Sequence, residues 1–359
     1  MRRILAVAMM LMLALAGWVA LQASPIDSVA WTPPPSAGFN GAYEHNDRLA
    51  GIELMPVPGG HGPESFAFGP DGMLYTGLKG GRIIRFQPDG SGMEDFSNTN
   101  GRANGMRFDA DGNLIVVDSY KGLLSIDPSG SVTTLATASE GQSFVFNDGV
   151  DIAADGIIWF TDATALHADG WIHLELLEAR STGRVLAYDP ESGETRTVLD
   201  NLRFPNGIAL GPNDAYFLTN ETLGYRTLRH WLKGPQAGTT EVFAENFPAM
   251  PDDIQFNGRD LFWVAMVGER IALADWIQPY PWVKNFIAKC VANTFPDSDS
   301  HWIGDPGFII ALDLDGNVVR NLQDAQRRFI SSSGALEHAN HLYIGSVAMD
   351  AVGRLTLAE

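Results

Sequence analysis

The apolar residues of the chain fall into short runs that recur along its length. Each repeat has a polar residue, an apolar strand, an Asp-Gly or similar turn, and a second strand that contains a bulky apolar pair. The first residues of the six pairs are Leu74, Leu114, Ile158, Tyr216, Leu261 and Leu342. Most intervals between them are roughly 40–45 residues, the period of a four-stranded propeller blade. The pattern predicts an all-β fold, a six-bladed β-propeller over residues 46–359.

Two intervals are longer and leave room for insertions at 167–181 and 269–306. The second contains Ile271 to Phe295, where we expect a short helix interrupted at Pro279 and Pro281. Its aromatic residues are expected to cap the propeller, to line a pocket or to touch a membrane. Ile52 to Val57 are expected to add a strand to the last blade and so close the ring. A β-sandwich would lack the repeat period, and a solenoid would need caps at both ends.

The N-terminal segment predicts a membrane or secretory helix. Ile4 to Ala23 carry no charge, follow two arginines and are long enough to span roughly 30 Å. An uncleaved signal anchor is favoured over a cleaved signal peptide. An anchor places the propeller outside the cytoplasm on the cell membrane, whereas cleavage makes it secreted or periplasmic. Residues 24–45, which contain three consecutive prolines, are predicted to form a stiff spacer.

The net charge of the chain limits the classes of partner that it can bind. With 43 acidic and 24 basic side chains the net charge is −19, which repels nucleic acids and anionic lipids. We therefore expect no nucleic-acid partner and membrane contact only through the N-terminal helix. The single cysteine, Cys290, excludes an intrachain disulfide. A cation or a neutral small molecule fits this composition better.

A column of polar residues precedes the bulky pairs. Ten residues before the marker stand Glu64, Asn104, Asp148, Asn206 and Ser332, and Asp252 lies one residue off in the fifth repeat. Asn147 adjoins Asp148. Because the innermost strands of a propeller converge on one axis, the side-chain oxygens of Glu64, Asn147, Asn206 and Asp252 are predicted to meet there. Such hard oxygens suit Ca²⁺ or another divalent cation, whereas Zn²⁺ prefers His or Cys. The same residue types also favour turns and strand entries through local hydrogen bonds, so that alternative stays open.

The chain resembles a known superfamily at these positions. The matching motifs are Gly62-Pro63-Glu64, Phe146-Asn147-Asp148-Gly149, Pro205-Asn206-Gly207 and Pro251-Asp252-Asp253. They are similar to motifs of the gluconolactonase, regucalcin and strictosidine synthase-like superfamily, and the likeness covers about residues 50–350. It implies a six-bladed propeller whose metal ligands are Glu64, Asn147, Asn206 and Asp252. Within the superfamily, the chain is most similar to the membrane-anchored strictosidine synthase-like branch.

Two departures from related families matter for the chemistry. Strictosidine synthases carry a catalytic Glu where this chain has Ser333, and the more distant paraoxonases carry a His where it has Asn104. The amine–aldehyde condensation of the first and a His base of the second are therefore not expected.

The leading hypothesis is a Ca²⁺-dependent hydrolase of a lactone or other carboxylic ester. Asp252 or Asp253 would act on the attacking water. The substrate pocket is expected to include Asn104, Asp148, Ser333 and His61. The alternatives are a non-catalytic propeller that a metal staples together and a strictosidine synthase-like lyase. Since two axial carboxylates would repel each other, Glu64→Gln is expected to cost the metal-free protein little.

Overall fold

The computed structural model describes residues 17–19, 21–291 and 305–357. Within them the chain forms two compact units. The larger unit contains residues 34–169 and 181–270 and the C-terminal part of the chain, and it holds the strands. The smaller unit contains residues up to 33, residues 170–180 and the segment that begins at Ile271.

Six four-stranded antiparallel sheets make up the larger unit, so the predicted six-bladed β-propeller is confirmed. In the first two blades the strands follow one another in sequence without an extra element. From the innermost strand outward, the first blade contains β2 Phe66–Phe68, β3 Leu74–Gly77, β4 Arg82–Phe86 and β5 Glu94–Asn98, and the second contains β6 Ala103–Phe108, β7 Leu114–Asp118, β8 Gly122–Ile126 and β9 Val132–Ala136. The third blade contains β12 Asn147–Ile152, β13 Ile158–Asp162, β14 Gly183–Asp189 and β15 Glu194–Leu202, and the fourth contains β16 Pro205–Leu210, β17 Tyr216–Glu221, β18 Arg226–Trp231 and β19 Thr240–Glu245. The fifth blade contains β20 Ala249–Phe256, β21 Phe262–Glu269, β22 Phe308–Leu312 and β23 Val318–Gln323, and the sixth contains β24 Ser332–His338, β25 His341–Ser346, β26 Ala351–Thr356 and β1 Glu53–Pro56. A two-stranded hairpin, β10 Ala138–Ser139 and β11 Gln142–Ser143, precedes the third blade.

The ring closes by combining the two ends of the propeller. Strand β1 pairs antiparallel with β26, and Glu53 lies opposite Arg354. The fourth strand of the last blade therefore comes from the N-terminal side, as the sequence predicts. A closed ring leaves no long unpaired edge, which stabilises an all-β domain against edge-to-edge association.

The hydrophobic core lies between neighbouring blades. Six clusters of buried apolar side chains fill the six interfaces, and each takes residues from two adjacent blades. The bulky pairs lie in or next to the second strands, which are buried from both sides; every residue of β7 and β13 is buried. Outermost strands such as β9 are mostly exposed. This gradient explains why the second strand gives the strongest repeat signal in the sequence.

Both predicted insertions connect the second strand of a blade to the third, in blades three and five. They contribute helix α1, Ile172–Glu178, and helices α2, Ala272–Ile277, and α3, Pro281–Val291, to the smaller unit. The predicted interruption at Pro279 and Pro281 separates α2 from α3. Among the described residues, no helix is long and apolar enough to cross a membrane. Most of the predicted anchor, Ile4 to Ala23, lies outside the described residues.

Candidate functional site

A β-bulge recurs at the same place in five of the six innermost strands. The first residue inside each bulge is polar and is usually followed by glycine; these residues are Asn104, Asp148, Asn206, Asp252 and Ser333. The register shifts lie between Ala103 and Met106, Asn147 and Val150, Pro205 and Ile208, Pro251 and Ile254, and Ser332 and Ala335. A bulge re-aims side chains that regular pairing would alternate between the faces of a blade. The column is therefore built into bulged strands rather than into turns.

Glycine after the polar residue lets neighbouring innermost strands approach closely. A Cβ on Gly149 would lie 2.7 Å from the carbonyl oxygen of Asn206, and one on Gly105 would lie 2.5 Å from that of Asp148. A Cβ on Gly334 would similarly meet the Glu64 carbonyl oxygen at 2.4 Å. The Asn-Gly and Asp-Gly pairs thus serve the packing of the ring at its axis.

Glu64 has a buried cationic partner that the sequence did not predict. Arg102 Nη2 donates a hydrogen bond to Glu64 Oε2 at 2.8 Å, and Arg102 Nε donates one to Asn104 Oδ1 at 3.2 Å. Both members of the ion pair are almost fully buried. One signal was available: no other repeat has a charged residue two positions before its column residue.

Four buried carboxyl groups interact electrostatically with one another, namely Glu64, Asp148, Asp252 and Asp253. The Arg102 guanidinium attracts the first three, and Arg107 attracts Asp253. Burial raises the pKa of each, and for Asp148 and Asp252 the nearby negative charge of Glu64 raises the pKa further, well above its usual range. The negative charge of the half-exposed Asp169 also raises the pKa of Glu64. The axis thus has an excess of acceptors over cations.

Asn147 presents a buried oxygen that has no hydrogen-bond donor. Its Oδ1 is among the buried side-chain atoms without a partner, while its Nδ2 donates to the Thr161 carbonyl at 3.1 Å. Asn104 is committed differently, because its Nδ2 donates to Ser119 and to the Asn147 carbonyl at 2.7 and 2.9 Å. The structure therefore leaves the buried Asn147 oxygen without a donor and uses Asn104 to tie two blades together.

Asp252 and Asp253 differ although they are consecutive. The Asp252 carboxylate accepts a hydrogen bond from the Asn206 side chain. Both oxygens of Asp253 are occupied: Oδ1 accepts from the Ile254 backbone N–H at 2.8 Å, and Oδ2 accepts from Ser65 at 2.8 Å. The two predicted catalytic residues thus have different surroundings, because Asp252 contacts the predicted ligand Asn206, whereas Asp253 links the first and fifth blades through Ser65.

Two other predicted pocket residues have separate surroundings. Ser333 is buried on β24, and its hydroxyl donates to the Glu64 carbonyl at 3.3 Å. His61 is partly exposed, and its Nδ1 lies 2.6 Å from Asp350 Oδ1. The structure brings Ser333 to the backbone of Glu64 and gives His61 a carboxylate partner outside the axial group.

The donor set fits a hard divalent cation. Among the described residues, no group of three or more His, Cys, Asp or Glu side chains is arranged to hold a metal. The predicted set contains only two such side chains and takes its other oxygens from amides. The partnerless Oδ1 of Asn147 and the buried, like-charged Glu64 and Asp252 have the chemistry that Ca²⁺ prefers.

Comparisons with known proteins agree with this architecture. Residues 41–86 match the family described as strictosidine synthase-like, N-terminal, and residues 148–235 match the strictosidine synthase family. Adipocyte plasma membrane-associated protein of Danio rerio is 31% identical over 94% of this chain and 85% of its own length. Protein STRICTOSIDINE SYNTHASE-LIKE 13 of Arabidopsis thaliana is 32% identical over 89% of this chain and 81% of its own length.

Solved structures show the same fold at low sequence identity. A gluconolactonase from Xanthomonas campestris superposes with a TM-score of 0.62 at 16% identity, covering 94% of this chain and 99% of its own. Regucalcin from Agrobacterium tumefaciens superposes with a TM-score of 0.59 at 12% identity, covering 84% of this chain and 91% of its own. At this low identity the two structures support the propeller fold alone. The relatives that are more than 30% identical over most of this chain determine the family. The chain belongs to the strictosidine synthase-like family.

Proposed function

We propose that the protein hydrolyses a lactone or another carboxylic ester at the axial site, with a divalent cation, first of all Ca²⁺, bound by Glu64, Asn147, Asn206 and Asp252. The observation that carries the proposal is the buried Oδ1 of Asn147, which has no donor. Asn147 comes directly before a bulge that is equivalent to those that hold Asn206 and Asp252. Buried acceptors without donors are costly unless a cation or a proton satisfies them.

A cation bound by these oxygens would supply Lewis-acid polarisation of the ester carbonyl. The residues of the chain have distinct parts in the proposal. Arg102 holds the Glu64 carboxylate in one orientation through its hydrogen bond to Oε2. Asp252 accepts the proton of the attacking water as a general base. Phe146, which adjoins Asn147 and is partly exposed, offers an apolar surface for the substrate, and the buried ring of Phe204 packs against it with centroids 5.4 Å apart.

The comparisons support this class of chemistry without naming a substrate. A solved protein of the same fold is titled a gluconolactonase, and another is titled a calcium-binding protein. For the location we propose a cell-membrane protein, anchored by Ile4 to Ala23 with the propeller outside the cytoplasm. Relatives named adipocyte plasma membrane-associated protein support that location.

A second candidate is a non-catalytic binding propeller. The ion pair between Arg102 and Glu64 favours it, because the guanidinium already neutralises one carboxylate at the axis. A strictosidine synthase-like lyase has less support, since the buried hydroxyl of Ser333 replaces the acid that such an enzyme uses.

The test is a panel of lactones and aryl esters assayed with the purified full chain in Ca²⁺ or in chelator. We expect turnover that chelation abolishes, that Asp252→Asn lowers by about 10²-fold or more, and that Asp313→Asn leaves unchanged. Asp313 is a turn carboxylate of the fifth blade, outside the site. Thermal melts of each variant separate loss of activity from loss of folding. Turnover on no ester would favour the binding propeller, and condensation of an amine with an aldehyde would favour the lyase.

A further inference from the structure

We propose that an aromatic stripe on helices α2 and α3 rests on a zwitterionic lipid surface and gives the protein a second membrane contact beside its N-terminal anchor. The aromatic stripe consists of Leu273, Trp276, Tyr280, Trp282 and Phe286. The inference rests on the proposed membrane location and is independent of the proposed hydrolysis.

The stripe is exposed on successive turns of the two helices. Trp276 is 63% exposed and Trp282 is 74% exposed. On α3 the exposed positions Trp282, Phe286 and Cys290 are four residues apart and share one side. Leu273 and Trp276 are exposed on α2, and Tyr280 lies between the two helices with its ring centroid 5.7 Å from that of Trp276.

The opposite side of α3 already has a packing partner. Ala288 belongs to a buried cluster with Ile277 of α2 and with Leu174 and Leu177 of α1. The stripe is therefore not needed for the core of the smaller unit. Large apolar side chains left exposed in one continuous patch indicate a binding surface. Trp and Tyr with adjacent aliphatic residues are the side chains that membrane interfaces favour.

Hydrogen bonds hold α3 close to the end of the predicted anchor. Ser28 Oγ donates to Asn285 Oδ1 at 2.8 Å, and Lys284 Nζ donates to the Val29 carbonyl at 2.6 Å. The predicted anchor ends at Ala23, so the chain between it and Ser28 spans at most about 17 Å when fully extended. A helix inserted in the bilayer therefore keeps α3 near the headgroups. This tether identifies the lipid surface as the occupant of the stripe.

The charge of the patch selects the kind of lipid. None of the five residues of the stripe carries a charge, and Lys284, on the same helix, is buried. The net charge of −19 repels anionic headgroups. The stripe therefore suits phosphatidylcholine, with its side chains inserted about 5–10 Å into the headgroup and upper acyl region.

Cys290, the sole cysteine of the sequence, is the labelling site that reports on contact with lipid. It is exposed on α3, four residues after Phe286 and on the same side of the helix. The full chain is labelled there with a polarity-sensitive dye and reconstituted in phosphatidylcholine vesicles containing lipids brominated high on the acyl chain. We expect emission at shorter wavelength and strong quenching by the brominated lipid. The matched control is Cys290→Ser with Val319→Cys, labelled on the exposed outer strand of the fifth blade, for which we expect neither effect.

A second variant tests the side chains themselves. Trp276→Ser with Trp282→Ser, labelled at Cys290, is expected to sediment with the vesicles but to lose most of the quenching. Equal quenching at Cys290 and at position 319 in sedimenting protein would overturn the stripe and leave the anchor intact. Concentration-dependent self-quenching or a Cys290–Cys290 crosslink would assign the stripe to a second copy, and a Cys290 that resists labelling would show that the chain covers it. Failure to sediment would overturn anchor and stripe together, and the ester assay reports on the axial site separately.

Discussion

Arg102 Nη2 lies 2.8 Å from Glu64 Oε2, and both side chains are buried where the first two blades meet the axis. This ion pair places a fixed positive charge beside a predicted cation ligand. Removing one partner of a buried pair leaves the other charge uncompensated, at a cost of about 3–5 kcal/mol. We therefore expect Arg102 to stabilise the metal-free propeller and to oppose electrostatically the binding of the proposed cation.

Arg102→Gln should lower the melting temperature in chelator and enlarge the stabilisation that Ca²⁺ gives. Without the guanidinium, Glu64 and its neighbouring carboxylates attract the cation more strongly, and tighter binding to the folded state stabilises it further. The measurement is a pair of thermal melts, with Ca²⁺ and with chelator, for wild type and variant. A Ca²⁺ shift no larger in the variant than in wild type would contradict this role.

Arg184→Gln provides the matched control. Arg184 and Asp162 form another buried ion pair, at 2.5 Å, within the third blade. Its loss should lower the melting temperature to a similar extent. Because neither residue of the pair is a predicted cation ligand, the increase in melting temperature produced by Ca²⁺ should stay at its wild-type size.

Asp148→Asn should stabilise the metal-free protein at pH 8 and have little effect at pH 5. The raised pKa of Asp148 means that the folded state holds its proton more tightly than the unfolded state does. Its contribution to stability is therefore complete below about pH 4, the usual pKa of Asp, and is lost as the pH rises through the folded-state pKa. Glu64, Asp252 and Asp253 repel its charge, while Arg102 attracts it.

The measurement for Asp148 is the denaturant midpoint in chelator across pH 5 to 8. Asp155→Asn, which changes an exposed turn carboxylate of the same blade, is the control and should show no pH-dependent gain. His230 titrates with the opposite sign, since burial lowers its pKa, but it is common to both variants. A constant difference between wild type and Asp148→Asn over this range would contradict the prediction.

Gly149→Ala should loosen the ring at its axis. The added Cβ would lie 2.7 Å from the Asn206 carbonyl oxygen, so two innermost strands must separate. Overpacking of this kind costs about 1–3 kcal/mol. Displacing Asn206 should also weaken Ca²⁺ binding. In Gly51→Ala, by contrast, the nearest atom is Leu355 Cδ1 at 3.9 Å, so stability and Ca²⁺ affinity should be unchanged.

The fold could be predicted from the sequence because its signal is local and repeated. The second strand of each blade is buried on both sides, so pairs such as Leu114-Ile115 recur with the blade period. The joining of β1 to β26 was also predicted, since Ile52 to Val57 were expected to add a strand to the last blade. Insertions shifted the period without hiding it, because they lie between strands rather than inside them.

The geometry of the site was harder to predict from the sequence because it depends on pairing between residues that are far apart in the chain. A bulge such as that between Asn147 and Val150 is defined by the neighbouring strand, and periodicity does not reveal it. Arg102 lies before β6, whereas its partner Glu64 lies before β2, in another blade. The expectation that Glu64→Gln would cost the metal-free protein little overlooked this pair. We now expect that variant to destabilise, because it leaves the buried guanidinium of Arg102 with a neutral partner.

Calorimetric titration of Ca²⁺ into chelator-treated full-length protein tests the central claim most directly. We predict binding of one ion per chain, abolished in Asp252→Asn and retained in Asp313→Asn. The same experiment with Arg102→Gln should give tighter binding than wild type. Absence of binding by wild-type protein that melts cooperatively, or equal affinity in Asp252→Asn, would contradict a cation site on the propeller axis.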